Sequence, residues 1–112
     1  MDVGKDLVAA SATPLVLAIL AEGDSYGYAI IKRVTALSNG HLQWTDGMLY
    51  PVLHRLERNG LVSAKWGQSE NGRKRKYYRL TREGRAELAA QREQWHMVDQ
   101  ALRGLWLKRE MA

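Results

Sequence analysis

The sequence contains no cysteine, only two prolines, and no long apolar segment among its 112 residues. The missing cysteines exclude disulfide bonds, thiol catalysis, thiolate zinc sites and iron–sulfur clusters, and they are compatible with a reducing cytoplasm. The longest apolar run covers residues 15–21, whereas a transmembrane helix needs about 20 residues. Asp2 follows the first methionine directly, without the charged and then apolar leader of a secretory signal. We therefore expect a cytoplasmic protein with no membrane partner.

No constellation of catalytic or metal-binding residues is present in the sequence. The histidines His41, His54 and His96 fall in different predicted elements without metal-ligand spacing, and there is no nucleophile motif. The sequence therefore predicts a protein that is not an enzyme and that binds no metal or cofactor. Seventeen Lys and Arg against twelve Asp and Glu give a net charge of +5, which favours a polyanionic partner such as nucleic acid.

The chain has the length of one domain, and its 46% hydrophobic residues are ordinary for a globular protein. Thr13 and Pro14 are typical of the cap and first turn of a buried helix that ends at Gly23. Leu7 and Val8, which precede them, belong either to an earlier stretch of helix that runs through a kink at Pro14 or to a loose arm.

Two further helices follow in the sequence. Asp24–Ser25 offer capping oxygens for the second helix, which ends at Asn39–Gly40. Thr45–Asp46 cap the third helix, and Asn59–Gly60 end it. Pro51 inside this helix predicts either a late start or a bend in the first two turns. The apolar spacing assigns its packing face to Leu49, Val52, Leu53 and Leu56.

From residue 61 the period of the pattern changes to two. Residues 61–66 and 73–80 alternate as strands around a turn-rich segment, 67–72, and therefore predict a β-hairpin. Thr81 caps a long helix that runs to about Lys108. We expect Trp66 on the hairpin and Trp106 near the terminus to pack against other residues, whereas Trp44 has no assigned role.

The order of helix, helix, helix, hairpin and long helix predicts an α+β fold that is mostly α, the winged helix-turn-helix. Residues 1–80 form the DNA-binding domain and residues 81–112 form a C-terminal dimerisation helix, together one structural unit. In this fold the third helix enters the major groove, and the hairpin, or wing, lies along the DNA backbone.

Three segments in this order resemble the PadR family of transcriptional regulators. They are YGYAI at 26–30, MLYPVLHRLERNGL at 48–61 and RKYYRLTREG at 75–84. The similarity covers nearly the whole chain, and the length is that of the small subfamily with one C-terminal helix. Met48 departs from the family, which usually has threonine there. The resemblance implies a repressor, and multidrug-sensing members of the family hold planar, hydrophobic or cationic compounds at the centre of a dimer.

The basic residues of the hairpin predict that it binds double-stranded DNA. Five cations and no acid lie between residues 73 and 79, a concentration of charge that suits a phosphate backbone. A solvated charge run on an ordinary surface hairpin is the alternative. Tyr50 and His54 lie one turn apart on the third helix and can reach bases or phosphates, although Tyr50 can equally be half-buried core. The candidate DNA-binding residues are Thr45, Met48, Tyr50, His54, Arg55, Arg73, Lys74, Arg75 and Lys76.

The long helix carries a stripe of apolar residues at alternating spacings of three and four, with Gln91 as its polar member. Such a stripe needs a partner surface, and we expect a homodimer that binds a pseudo-palindromic operator. Packing of the helix against its own domain is the alternative. The candidate dimer-interface residues are Leu88, Trp95, Val98, Leu102 and Leu105.

Trp95 is the bulkiest member of this stripe. Two copies facing each other across a symmetry axis can hold a flat aromatic ligand, and Asp99, one turn away, suits a cationic one. A plain packing interface is the alternative. Gln91, Leu7 and Pro14 are weaker candidates for the pocket wall. The sequence therefore predicts a ligand-responsive, DNA-binding transcriptional regulator; a winged-helix module for protein contacts or RNA, without a small ligand, is the alternative function.

Overall fold

The computed structural model describes residues 2–111, which form four helices and one two-stranded antiparallel sheet. In chain order the elements are α1 (Lys5–Glu22), α2 (Gly27–Leu37), α3 (Asp46–Arg58), β1 (Val62–Gln68), β2 (Lys74–Leu80) and α4 (Arg82–Met111). This order confirms the predicted mostly helical α+β fold of the winged helix-turn-helix type. No helix within the described range is both long and apolar enough to cross a membrane.

Helix α1 is continuous from Lys5 to Glu22, with Pro14 inside it. The cap predicted at Thr13 is therefore wrong, and of the two alternatives for the preceding residues the earlier stretch of helix is the one observed. Thr13 lies inside the helix and accepts a hydrogen bond from Arg55 Nη2 at 3.2 Å. The helix continues through the proline because its buried residues, Ala12 and Val16 among them, pack into the core on both sides of it.

The capping predicted for α2 is also wrong. The N-cap residue is Tyr26, which makes no side-chain capping bond. Ser25 instead pairs with Tyr78 through two backbone hydrogen bonds of 3.1 and 2.7 Å, and so extends the sheet. The Asp24 carboxylate accepts hydrogen bonds from Arg79. Both residues are thus engaged with β2 and not with the helix that follows them.

The C-terminus of α2 and the N-terminus of α3 are capped as predicted. Asn39 and Gly40 have φ angles of 53° and 84°, the left-handed conformation that ends a helix. Thr45 Oγ1 accepts a bond from the Met48 N–H at 3.3 Å, which caps α3. The helix begins at Asp46 and includes Pro51, so it does not start late. Its predicted packing residues are all buried: Leu49, Val52, Leu53 and Leu56.

The strand bounds differ slightly from the prediction, because β1 continues through Gly67 and Gln68 and β2 begins at Lys74. Tyr77 lies against Gly67, and a Cβ there would be 3.1 Å from the Tyr77 ring. At its base the hairpin buries Val62, Tyr78 and Leu80 in the core. Strand pairing sets Trp66 opposite Lys76, beyond this buried base.

The packing predicted for two tryptophans is wrong. Trp66 and Trp106 are 64% and 56% exposed, because the outer hairpin and the outer half of α4 extend beyond the domain core. Trp44, for which the sequence indicates no role, is a core residue with 5% exposure.

The start of α4 is joined tightly to the end of α3. Thr81 Oγ1 caps α4 by accepting a bond from the Gly84 N–H at 3.0 Å, and it donates to the Gly60 carbonyl at 2.7 Å. The Thr81 N–H donates to the Leu61 carbonyl at 3.1 Å. The first half of α4 then packs on α1, with Leu88 against the core.

Candidate nucleic-acid interface

The exposed face of α3 is built around the ring of Tyr50. An added Cβ at Gly27 would lie 2.6 Å from Tyr50 Oη, so the glycine of the YGYAI motif leaves room for this tyrosine. The Tyr50 ring is also 6.2 Å from the His54 ring, between centroids. Tyr50 is 37% exposed. The residue therefore joins α3 to the start of α2 while its edge remains on the surface beside His54.

The other candidate residues of α3 have partners within the domain. Thr45 is exposed, but its hydroxyl caps the helix. Met48 is half-buried and packs against the core. Arg55 is exposed and donates to Thr13 on α1. Of the predicted residues at α3, Tyr50 and His54 are therefore the ones that are exposed and whose side chains make no hydrogen bond within residues 2–111.

Arg75 is held by aromatic rings and does not project freely from the hairpin. Its guanidinium carbon lies 3.8 Å from the centroid of the Tyr26 ring, a cation–π contact. Tyr26 in turn packs edge-on against Tyr77, with the centroids 5.6 Å apart. These three side chains tie β2 to the residue that precedes α2.

Two more cations of β2 form ion pairs inside the domain. Lys76 Nζ lies 3.7 Å from Glu57 Oε1 in the last turn of α3, and Arg79 Nη2 lies 3.2 Å from Asp24 Oδ2. Exposed pairs of this kind add little to stability, but they set the positions of the side chains.

Of the five basic residues between 73 and 79, Arg73 and Lys74 lie at the hairpin tip. Both are exposed, and neither forms an ion pair within residues 2–111. The structure thus separates the basic run into a tip that is free to bind anions and a base that holds the hairpin beside α3. The alternation of residue types along a strand could not have shown this, because the partners come from the segment before α2 and from α3.

Tyr78 lies beneath this junction with 1% exposure. Burial raises the pKa of its hydroxyl, and the negative charge of Glu57 acts in the same direction. The Oη atom has no hydrogen-bond partner in the described part of the chain. Tyr78 therefore acts as a packing residue of the hairpin base.

A second candidate site lies between α1 and α4. An apolar cleft of about 460 Å³ includes Leu7, Pro14 and Trp95 from the predicted ligand-binding set. The cleft is lined by Val3, Leu7, Ser11, Pro14, Leu15, Ala18, Leu42, Leu88, Arg92 and Trp95.

The two polar members of that set lie outside the cleft. Asp99 accepts a 2.8 Å bond from Arg103 Nε and borders a neighbouring groove that also includes Trp95. Gln91 donates a 3.0 Å bond to Glu87. Trp95 therefore stands between an apolar cleft on one side and a polar groove on the other.

Beyond Trp95, α4 leaves its apolar stripe uncovered in the single chain. Val98, Leu102 and Leu105 are 53%, 38% and 68% exposed. Leu88, the first member of the predicted interface, is half-buried against the core of its own domain. The first half of α4 thus packs against its own domain, as in the alternative arrangement, whereas the outer half has no partner within the described residues and its place in a dimer interface stays a prediction.

Comparison with known proteins places the chain in one family. The signature of the transcriptional regulator PadR-like family matches residues 16–90. The transcriptional regulator YqjI of Escherichia coli is 32% identical over 89 residues, which are 80% of this chain and 41% of that protein.

Solved structures agree with this match. A transcriptional regulator from Clostridium thermocellum superposes with a TM-score of 0.81 at 29% identity, covering 89% of this chain and 97% of the other. A PadR family regulator from Eggerthella lenta has a TM-score of 0.74 at 34% identity, covering 90% and 86%. The chain belongs to the PadR-like family of transcriptional regulators.

Proposed function

We propose that this PadR-family regulator is a dimeric, ligand-responsive repressor that binds a pseudo-palindromic operator with α3 and the wing of each copy. One observation carries the DNA-binding part of this proposal. Arg73 and Lys74 lie exposed at the tip of a hairpin whose base is held beside α3, and neither forms an ion pair within the described residues. Phosphate contacts supply most of the sequence-independent affinity of such proteins for DNA.

The contacts within the domain support a division of labour at the DNA. Tyr50 and His54 occupy the outward face of α3, where a helix in the major groove meets base edges. Lys76 and Arg75 hold the hairpin at a fixed distance from that helix. The two elements would then bind the duplex as one rigid unit, with α3 reading sequence and the wing tip setting position.

The outer half of α4 supports dimerisation. Val98, Leu102 and Leu105 lie on one side of the helix at spacings of four and three residues, and all three are exposed in the single chain. Trp106 adds a further exposed aromatic ring to this part of the helix. A second copy related by a two-fold axis would cover these residues and present two copies of α3 to the two halves of the operator. Acting on DNA in this way, the protein works in the cytoplasm.

The apolar cleft beside Trp95 supports a small-molecule effector. Its almost wholly apolar lining and its volume of about 460 Å³ suit one planar, hydrophobic compound. Asp99 in the adjoining groove would supply the negative charge for a cationic compound that displaces its present partner, Arg103. Trp95 and Asp99, which lie four residues apart, also make the terminal helix similar to that of the multidrug-sensing repressor LmrR. We infer that such a compound binds in this cleft against Trp95, close to the centre of the proposed dimer, and lowers operator affinity.

The DNA-binding proposal is tested by selecting bound fragments from a random duplex pool and then measuring affinity for the selected duplex over a range of salt concentrations. We expect Arg73→Ala and Lys74→Ala each to weaken binding and to lower the slope of log K against log salt by about 0.9. Arg79→Ala, which removes a cation paired with Asp24, is the matched control and should change the slope less. Preference for single strands, or affinity independent of salt, would support the alternative module for RNA or protein contacts.

The effector proposal is tested by titrating a planar cationic dye while following tryptophan fluorescence. We expect quenching in the wild type and in Trp106→Phe, and its loss in Trp95→Ala. Equal quenching in Trp95→Ala would rule out the cleft as the binding site. Adding the dye to the protein–operator complex should release DNA, because a ligand shifts the equilibrium only if its affinity differs between the two states.

A further inference from the structure

Trp66 is a large aromatic side chain that the domain leaves on the surface. It is 64% exposed and makes no ring contact with another aromatic residue or cation within residues 2–111. Strand pairing sets it opposite Lys76. Alternation along the two strands places Gln68 and Lys74 on the same face of the sheet. The indole thus lies among polar and basic side chains at the outer part of the wing.

The face that carries Trp66 is the one beside α3. The same face buries Val62 and Tyr78 at the hairpin base, against the helices of the core. Lys76, directly opposite Trp66, pairs with Glu57 in the last turn of α3. A duplex seated on the outward face of α3 and on the wing tip would therefore come close to this indole.

The surroundings of Trp66 favour a polyanion over a protein partner. Lys65 precedes it in the chain, and Lys74 and Lys76 share its face. No other large apolar side chain of the hairpin is exposed, whereas the outer half of α4 exposes Val98, Leu102 and Leu105 together. A second copy or a protein partner needs a broad apolar area, which α4 offers and the wing does not. A single flat ring among cations is what binds the sugars and base edges of a nucleic acid.

We propose that Trp66 contacts DNA directly, with its indole against the deoxyribose and base edges of the groove beside the wing, while Lys74 binds the adjacent phosphate. This inference rests on the proposed DNA-binding function. It adds to the basic residues of the wing an apolar contact whose strength does not depend on counterion release.

The first test measures the affinity of a fluorescently labelled mixed-sequence duplex, of about three helical turns, at several salt concentrations. We expect Trp66→Ala to weaken binding about tenfold with no change in the salt slope, because it removes an apolar contact and no charge. Lys74→Ala should lower the slope by about 0.9. Trp66→Phe should retain most of the affinity. Leu37→Ala, which truncates an exposed side chain at the far end of α2, is the control and should bind like the wild type.

The second test follows the indole itself in the intact protein. Fluorine NMR of protein labelled with 5-fluorotryptophan, with the Trp66 signal assigned from Trp66→Phe, should show a shift of that signal when the duplex is added. The signal of the buried Trp44 should move less.

The outcomes separate this inference from the function on which it rests. Wild-type protein that fails to bind duplex DNA would overturn both. Two results would overturn the inference alone. In the first, the wild type binds the duplex and Trp66→Ala binds it with the same affinity; in the second, the Trp66 signal does not shift when the duplex is added. Loss of dimerisation in Trp66→Ala, with DNA affinity per dimer unchanged, would assign the indole to contact between two copies and would also overturn it.

Discussion

The substitution Gly84→Ala tests how the terminal helix is joined to the rest of the domain. Gly84 is buried in the first turn of α4. An added Cβ would overlap the carbonyl oxygen of Leu61 and would lie 2.6 Å from Leu80 Cδ1. Leu80 can change its rotamer, but the carbonyl is fixed by its bond from the Thr81 N–H. The methyl group can therefore be accommodated only if α4 moves away from the turn between α3 and β1.

The expected magnitude comes from two opposing effects. Alanine in place of glycine stabilises an open helical position by about 0.8–1 kcal/mol. Overpacking costs about 1–3 kcal/mol, and a clash with backbone belongs at the upper end of that range. We therefore expect Gly84→Ala to lower the free energy of unfolding by about 2 kcal/mol, the difference between these two effects.

Gly104 in the same helix provides the matched control, because a Cβ there would meet no atom within 4 Å. Gly104→Ala should raise the free energy of unfolding by about 0.5–1 kcal/mol. The assay is urea denaturation followed by circular dichroism, with both variants at the same protein concentration, because the stability of the proposed dimer would depend on concentration. If both variants gain stability equally, Gly84 is not sterically constrained and the explanation given above is wrong.

Three further predictions concern the contact between α2 and α3, the core, and α4. Gly27→Ala should displace Tyr50 from α2 and weaken operator binding, and Gly27→Ala combined with Tyr50→Ala should bind no worse than Tyr50→Ala alone. Burial raises the pKa of Tyr78, so the stability that its neutral hydroxyl provides is complete below about pH 10 and is lost as the pH rises above that value. As the pH rises from about 9 to 11, the free energy of unfolding should therefore fall less in Tyr78→Phe than in the wild type, as measured by urea titration at each pH. The prediction fails if the two proteins lose stability equally over this range. Leu102→Lys should convert dimers to monomers in analytical ultracentrifugation, and a dimer that persists would exclude this face of α4.

The order of elements could be predicted from the sequence because each boundary carries its own local chemistry. The left-handed Asn39–Gly40 pair and the Thr45 cap act on adjacent backbone groups, so their effects follow from neighbouring residues. Asp24–Ser25 shows the limit of that reasoning. The same side chains that cap a helix can bind a strand instead, and β2, about 50 residues later, supplies the competing partner.

The candidate site could be predicted only in part, for a related reason. The sequence indicates which residues of β2 are basic, but the partners of Arg75 and Lys76 come from the start of α2 and the end of α3. The misassigned role of Trp66 has the same origin. Alternation places it on the core-facing side of the sheet, whereas its exposure depends on how far the hairpin extends past the core.

The junction between α3 and α4 restricts how an effector could act. Thr81 bonds both Gly60 and Leu61, and Gly84 lies against the same turn, so the start of α4 is fixed to the end of α3 at three points. A ligand beside Trp95, between three and four helical turns along α4, therefore cannot change the tilt of that helix without moving the domain that carries α3. In a dimer joined through the outer halves of α4, a change of tilt would alter the separation of the two α3 helices, whose spacing must match one turn of DNA. Under the proposed function, this junction would make operator affinity depend on the geometry of the two α4 helices, with no rearrangement required inside residues 1–80.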